Sequence, residues 1–242
     1  INPTGKKKLG EDLSKGKLDV LVQEAVSQKE AGADILDVNV AAPGADEIIL
    51  LPKAVLKVLE VSGLPVCIDS SNPEALKKAL ELYPYKALVN SVTGQEKSLK
   101  SVLPLVKKFG ASVVGLTMDD SGIPRTAAKR FDVAKRITEA AESYSIPRED
   151  IVIDCLCLAQ AAEANSAVVT LETLRRVSSE LGVSTVLGVS NISFGMPDRK
   201  IINLSFLSQA ISQGLNAVIV DPTIEGVVEL SLIHISEPTR PY

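Results

Sequence analysis

"LPVCIDSSNPEALKKALEL", residues 64–82, contains a short apolar run that leads directly into an amphipathic segment. The run is apolar at consecutive positions, as expected of a strand buried on both faces in a parallel sheet. Beyond Asp69, Asn72 suits the N-cap of a helix, Pro73 its first helical position and Glu74 its first turn. The stretch therefore predicts one strand followed at once by one helix.

The same strand–helix unit recurs along the chain. Strands are predicted over 33–40, 64–71, 86–92, 111–118, 150–156, 184–193 and 215–222. Helices are predicted between them, over 18–32, 46–60, 72–82, 95–109, 127–144, 169–181 and 200–213. With a strand stub at Ile1–Asn2, the units number eight in 242 residues. This favours a (β/α)8 TIM barrel, which typically needs about 250 residues, over a doubly wound open sheet, and we expect the first strand to be truncated.

No linker interrupts the repeat, so the sequence predicts a single domain over residues 1–230. The segment "SLIHISEPTRPY", residues 231–242, breaks the pattern and carries the only histidine of the chain, His234. It resembles a translated sequencing adapter. We therefore expect residues 231–242 to be a non-native or disordered tail.

Composition limits the classes of function. The net charge of −4 argues against nucleic acid or an anionic membrane surface as the partner. No apolar run approaches the roughly 20 residues that span a bilayer. The three cysteines lie in apolar runs, which indicates buried thiols in a reducing cytoplasm. With one histidine, neither a histidine base nor a histidine-ligated metal is expected, and we predict no metal site.

Two short patterns could suggest other chemistry. Cys155-x-Cys157 lacks the further ligands that a zinc site needs, so we expect both thiols in the core. The run Lys6–Lys8 follows Pro3–Thr4 without the first glycine of a phosphate-binding P-loop, and it predicts a solvated loop.

The predicted strands end on carboxylates or amides, namely Asp37 and Asn39, Asp69, Asn90, Asp154, Asn191 and Asp221. In a parallel barrel the carboxyl ends of all strands lie on one face, which holds the active site. An unpaired polar group in an apolar barrel mouth costs a few kcal/mol, so these groups either pair or await a polar ligand. One such residue could simply cap a helix, but the repetition favours a ligand. A carboxylate accepts two parallel N–H bonds, which suits a flat, neutral heterocycle with an aminopyrimidine edge.

The residues that carry these features also resemble a known family. "INPTGKKKL", "GADILDVNVAAPG", "VCIDSSNPEALKKAL", "LVNSVTG", "GLTMDDSGIP", "DIVIDCL" and "GVSNISFGMPDR" occur in the order found in pterin-binding methyltransferases. That family includes the folate domain of cobalamin-dependent methionine synthase and the methyltetrahydrofolate:corrinoid protein methyltransferases. The resemblance extends to about residue 230 and implies a barrel of the dihydropteroate synthase type.

The resemblance also implies roles for individual residues. Asn191 and Asp69 would be the catalytic residues, with Asn191 bonding near N5 and stabilising its protonated form as the methyl group leaves. Asp69 would also accept N–H bonds from the pterin ring. The other expected substrate-binding residues are Asn90, Asp154 and Arg199, and, lining the floor, Asn2, Asp37 and Asn39.

The implied activity is transfer of the N5 methyl group of 5-methyltetrahydrofolate to the cobalt of a cobalamin or other corrinoid. The corrinoid would be carried by a partner protein or domain. A standalone enzyme of this kind would be expected to form a homodimer. Two alternatives remain open: condensation of a pterin pyrophosphate with p-aminobenzoate, as in dihydropteroate synthase, and a non-catalytic pterin-binding fragment. The first needs a basic pyrophosphate site, and "AAPGADE", residues 41–47, lacks the basic residue.

Overall fold

The computed structural model describes residues 1–236, with side chains for residues 1–231. Seven parallel strands form one sheet in which each strand neighbours the next in sequence. They are β1 (Leu36–Asn39), β2 (Val66–Asp69), β3 (Leu88–Thr93), β4 (Ser112–Leu116), β5 (Ile151–Asp154), β6 (Ser184–Gly188) and β7 (Ala217–Ile219). This order forms a nearly closed barrel surrounded by helices, which confirms the predicted fold class.

The residues at the start of the chain also pair with the sheet. The nitrogen of Ile1 donates to the carbonyl oxygen of Asp37 at 2.5 Å. The N–H of Asn39 donates to the carbonyl oxygen of Ile1 at 3.0 Å. This alternation is the pattern of a parallel ladder, so Ile1 lies beside β1 as a residue of the predicted first strand does.

Nine α-helices occur within the described residues. They are α1 (Lys7–Ser14), α2 (Asp19–Glu30), α3 (Glu47–Ser62), α4 (Pro73–Leu82), α5 (Glu96–Phe109), α6 (Ala127–Ser143), α7 (Ser166–Arg176), α8 (Arg199–Ser212) and α9 (Val227–Ser236). The prediction of a solvated loop over Lys6–Lys8 is wrong for Lys7 and Lys8, because helix α1 begins at Lys7. The predicted boundary at residue 231 falls inside α9 and stays a prediction. Residues 237–242 lie outside the described part of the chain.

Local sequence explains where the helices begin and end. The Asn72 side chain accepts from the N–H groups of Glu74 and Ala75 at 3.0 and 3.4 Å, as the capping signal predicted. Helix α3 begins at the cap Asp46 and ends before Gly63, whose φ of 68° favours glycine. After α3 and α4 the chain soon returns to the sheet, at Val66 and Leu88.

The core lies between the strands and the helices. Strand residues such as Val38, Ile68 and Val89 have no exposed surface, and they belong to the same cluster as Leu51 and Leu76 of the covering helices. The residues that alternate with them on β1 to β3 face the other side of the sheet. Among the described residues, no helix is long and apolar enough to cross a bilayer.

Candidate active site in the barrel mouth

Three predicted site residues form a row across three neighbouring strands. Asn39 of β1 is in register with Asp69 of β2, and Asp69 is in register with Asn90 of β3. Register partners in a parallel sheet point to the same face. The strand ends thus bring an amide, a carboxylate and an amide together at one level.

A second contact shows that this face is the inside of the barrel. The side-chain Nδ2 of Asn90 donates to Oδ2 of Asp37 at 3.0 Å, although β2 separates their two strands. Side chains of alternate strands meet in this way only on the concave face, as they do in the interior layers of a (β/α)8 barrel. Asp37 therefore lies one layer below Asn39 and Asp69.

The carboxyl group of Asp69 is tuned by its surroundings. Burial and the neighbouring negative charge of Asp37 raise the pKa of Asp69 to about 7, against a smaller opposing effect from a hydrogen bond with Asn39. The Asn39 Oδ1 atom accepts the N–H of Ala41 at 2.9 Å, which orients that amide. Near neutral pH a small change of environment, such as an incoming N–H donor, can therefore convert Asp69 between its acid and its anion.

Cys67 belongs to this cluster, although the sequence indicated only a buried thiol. It is in register with Asp37 and is 3% exposed. Burial and the hydrogen-bonded carboxylate of Asp37 raise the pKa of the Cys67 thiol. The thiol is therefore neutral beside the two carboxyl groups. The alternation of β2 could have revealed it, because Cys67 and Asp69 share one face.

Asp154, at the end of β5, adds a buried carboxyl group to the mouth. It is 7% exposed, and its Oδ1 atom accepts the N–H of Leu156 at 2.7 Å. Burial raises the pKa of Asp154 to about 6, while the bond from Leu156 and the positive charge of Arg130 act in the opposite direction. Asp154 is therefore mostly ionised at neutral pH, with one oxygen fixed by the backbone.

Arg130 of α6 was not predicted from the sequence. Its side chain is 1% exposed and donates to backbone oxygens at the end of β5. A signal did exist. Arg130 lies three residues after Ala127 and four before Ala134, both buried, so helical periodicity places it on the buried face of α6.

Asn191 does not lie on a strand, contrary to the prediction of a strand over 184–193. β6 ends at Gly188, and Val189–Asn191 form a 3₁₀ turn. Asn191 is exposed, and a Cβ atom on Gly188 would lie 3.3 Å from its Nδ2 atom. The turn carries the Asn191 amide beyond the strand end, and glycine leaves room for it.

Two other predicted residues make contacts within loops. Arg199 donates from Nε to the Ser193 hydroxyl and from Nη2 to the Ser190 carbonyl oxygen, both at 3.0 Å, so it braces the loop after β6. Asn2 is exposed, and its Oδ1 atom accepts the N–H of Thr4 at 2.9 Å. Among the described residues, no side-chain hydrogen bond joins Arg199 or Asn2 to the row of Asn39, Asp69 and Asn90.

Metal binding has no obvious set of ligands here. Within residues 1–231, whose side chains the structure describes, no group of three or more His, Cys, Asp or Glu side chains is arranged to hold a metal ion. Cys155 and Cys157 are both buried, and burial raises the pKa of each thiol. The mouth offers instead two tunable carboxyl groups and several amides. Ionised carboxyl groups can accept N–H donors, and the amides can both donate and accept.

Comparison with solved structures shows the same fold. A dihydropteroate synthase from Xanthomonas albilineans, solved with 4-aminobenzoic acid, has a TM-score of 0.73 at 19% identity, covering 93% of this chain and 87% of its own. The dihydropteroate synthase of Thermus thermophilus has a TM-score of 0.71 at 22% identity, covering 90% of this chain and 89% of its own. These similarities confirm a barrel of the dihydropteroate synthase type.

Sequence relatives are more similar to the chain. A methylcorrinoid:tetrahydrofolate methyltransferase from Eubacterium limosum is 32% identical over 82% of this chain and 74% of its own length. A methionine synthase from Mycobacterium leprae is 31% identical over 81% of this chain, which corresponds to only 17% of that protein. The family model described as "Pterin binding enzyme" matches residues 1–221. These matches confirm the resemblance noted from the motifs, and the chain belongs to the pterin-binding enzyme family.

Proposed function

We propose that the chain binds 5-methyltetrahydrofolate and transfers its N5 methyl group to the cobalt of a corrinoid carried by a partner protein or domain. The observation that carries the proposal is the row of Asn39, Asp69 and Asn90 across β1 to β3. The buried Asp154 at the carboxyl end of β5 and Asn191 in the turn after β6 belong to the same end of the barrel. The names of the sequence relatives support methyl transfer between a folate and a corrinoid.

The carboxyl groups would recognise the pterin edge. Asp69 and Asp154 accept N–H bonds from the ring, and Asn90 supplies a donor and an acceptor that its contact with Asp37 holds in place. Bringing N–H donors to Asp69 favours its anion, because hydrogen bonds to the charged form lower a pKa. Ligand binding would therefore release a proton near neutral pH.

The transfer itself requires N5 to become a better leaving group. The bond between N5 and the methyl carbon breaks with its electron pair staying on N5, while reduced cobalt supplies the pair for the new cobalt–carbon bond. A proton on N5 keeps the departing amine neutral. The Asn191 amide can accept from protonated N5 and donate to its free lone pair, so it can follow the change of charge during the step.

A second candidate is the condensation performed by dihydropteroate synthases, whose fold the chain shares. That reaction needs cations around a pyrophosphate. The loop after β1, residues 41–46, contains no lysine or arginine. The sequence relatives above also carry methyltransferase and methionine synthase names, which favours the first proposal.

The cellular setting follows from the same proposal. The partner would be a corrinoid protein in a standalone system, where the chain would form a homodimer, or a corrinoid domain in a methionine synthase. The three cysteines are free and buried, which supports a reducing compartment such as the cytoplasm.

Calorimetric titration separates the two candidates. The wild-type chain should bind 5-methyltetrahydrofolate saturably and more tightly than a pterin pyrophosphate, and Asp69→Ala should abolish binding. Asp34→Ala, an exposed carboxylate just before β1, is the control and should bind normally. Preference for the pyrophosphate would instead assign the chain to the synthase reaction.

A further inference from the structure

Arg130 is a charged side chain in the protein interior with no carboxylate bonded to it among the described residues. Its Nε atom donates to the carbonyl oxygen of Pro124 at 2.8 Å. Its Nη1 atom donates to the carbonyl oxygens of Cys155 and Leu156 at 3.1 and 2.6 Å, and lies 3.2 Å from the Thr170 hydroxyl. Burying a guanidinium group is costly, so a side chain held this way needs a reason beyond packing.

The contacts of Arg130 converge on the segment that fixes Asp154. Leu156 has a φ of 53°, a conformation that is uncommon for a leucine. Its carbonyl oxygen is held by Arg130 and by the Thr170 hydroxyl, the latter at 3.0 Å. Its N–H donates to Oδ1 of Asp154 at 2.7 Å. The guanidinium group therefore influences the position of the Asp154 carboxylate through Leu156.

The charge of Arg130 also acts on Asp154 directly. Burial favours the neutral carboxyl group and raises the pKa of Asp154, whereas the nearby guanidinium charge lowers that pKa. The other titratable groups around this pair are Cys155 and Cys157, whose raised pKa values keep them neutral, and Glu163, which acts on Arg130.

We propose that Arg130 is the positioning residue for Asp154, locking Leu156 so that its N–H orients the carboxylate towards the pterin N–H groups. The guanidinium charge also favours the ionised form of that carboxylate. The proposal rests on the proposed function for its ligand. The relationship between Arg130 and Asp154 is a property of the ligand-free chain and can be measured without one.

The first test follows the titration of the Asp154 carboxyl carbon by carbon-13 NMR in the ligand-free protein. Arg130→Gln removes the charge and should move the titration to higher pH by roughly one unit. Arg136→Gln, on the exposed face of the same helix, is the matched control and should leave it unchanged. An unchanged Asp154 titration in folded Arg130→Gln overturns the proposal.

The second test measures the affinity for 5-methyltetrahydrofolate between pH 5 and pH 9. Arg130→Gln should bind about 2-fold more weakly at pH 7 and about 10-fold more weakly at pH 5, and it should approach the wild type at pH 9, where Asp154 is ionised in either protein. Asp69 also titrates between pH 5 and pH 9, but it does so in the wild type and in every variant. Its effect on affinity therefore cancels when each variant is compared with the wild type at the same pH. A loss of equal size at every pH would mean a purely structural role and overturn the charge argument.

Arg130→Lys covers the case in which the glutamine variant does not fold. It keeps the charge but cannot reproduce the contacts to Pro124, Cys155 and Leu156 together. We expect an Asp154 titration close to that of the wild type and weaker methylfolate binding at every pH. Wild-type affinity in Arg130→Lys would show that the positioning contacts are dispensable. If the wild-type chain itself binds no methylfolate, the proposed function fails, while the NMR titration still decides the role of Arg130.

Discussion

The amide of Asn90 reaches past strand β2 to donate to the carboxylate of Asp37, with a separation of 3.0 Å between Nδ2 and Oδ2. This bond ties β3 to β1 inside the barrel and leaves the side-chain Oδ1 atom of Asn90 able to accept from a ligand. Asp37 in turn lies close enough to Asp69 to raise its pKa. The hydrogen bond between Asn90 and Asp37 thus connects a residue proposed to bind the pterin ring with the carboxylate that raises the pKa of Asp69.

Asp37→Asn should shift the pH dependence of ligand binding. Removal of the Asp37 charge takes away one cause of the raised pKa of Asp69, while burial, the largest cause, remains. The pH above which methylfolate binds tightly should therefore fall, by roughly one unit. Calorimetric titrations from pH 5 to pH 9 measure it. Asp46→Asn, at the cap of α3, should leave the profile in place, and an unmoved profile in Asp37→Asn would contradict the coupling.

Asp69→Asn should stabilise the ligand-free protein at alkaline pH. The folded-state pKa of about 7 lies above the ordinary value of an aspartate, so the folded state holds the proton more tightly than the unfolded state does. The contribution of Asp69 to stability is complete below about pH 4 and is lost as the pH rises to 7. The variant should gain about 1 to 3 kcal/mol in the free energy of unfolding at pH 8.

Urea unfolding of Asp69→Asn at pH 4 and pH 8 measures this gain. At pH 4 the two proteins should differ little, because the wild-type carboxyl group is then protonated. The exposed Asp34→Asn should show no such difference between the two pH values. A variant less stable than the wild type at pH 8 would mean that the Asp69 carboxylate is stabilising, contrary to this account.

Asn191→Ala should slow methyl transfer more than it weakens binding. We propose that the Asn191 amide stabilises the change of charge on N5 and does not bind the pterin edge. Its removal should therefore lower the rate of methyl transfer more than the affinity for methylfolate. Loss of such a group typically costs about 100-fold in rate. Single-turnover rates and calorimetric dissociation constants separate the two effects. Asn165→Ala, an exposed asparagine before α7, should behave as the wild type. An equal loss in affinity and rate would place Asn191 in ground-state binding.

Gly188→Ala should disturb Asn191 without straining the backbone. Gly188 has a φ of −78°, which alanine adopts readily, but the new Cβ atom would lie 3.3 Å from the Asn191 Nδ2 atom. Methyl transfer should slow several-fold while the unfolding temperature stays within a few degrees of that of the wild type. Gly10→Ala in α1 has open space around its Cβ position and serves as the control. Wild-type transfer by Gly188→Ala would show that the loop adjusts freely.

Much of the site could be predicted because parallel strands carry their carboxyl ends to one face. That rule alone placed Asp37, Asn39, Asp69 and Asn90 together, and the register of β1 to β3 shows the row that results. Asp154 followed from the same rule. Its pKa could not be predicted, because burial and the position of Arg130 depend on packing between distant parts of the chain.

The predictions that were wrong or incomplete also have causes in the local sequence. The apolar residues Leu187, Val189 and Ile192 after Val186 predicted a strand through 193, but the chain turns at Val189 to form the Asn191 loop. Helix α1 was missed because lysines and Gly10 dilute its short apolar face, which buries only Leu9 and Leu13. Arg130 was overlooked because a charged residue in an amphipathic helix is ordinarily assigned to the solvent face.

The most direct test of the central claim is a single-turnover assay with methyl-labelled 5-methyltetrahydrofolate and cob(I)alamin as a free acceptor. The assay records methylcobalamin formation by absorbance and follows the label. The account predicts that the wild-type chain moves the label from N5 to cobalt, and that Asn191→Ala does so about 100-fold more slowly. A folded chain that binds the folate yet leaves the label on N5 would contradict the claim that this barrel catalyses methyl transfer.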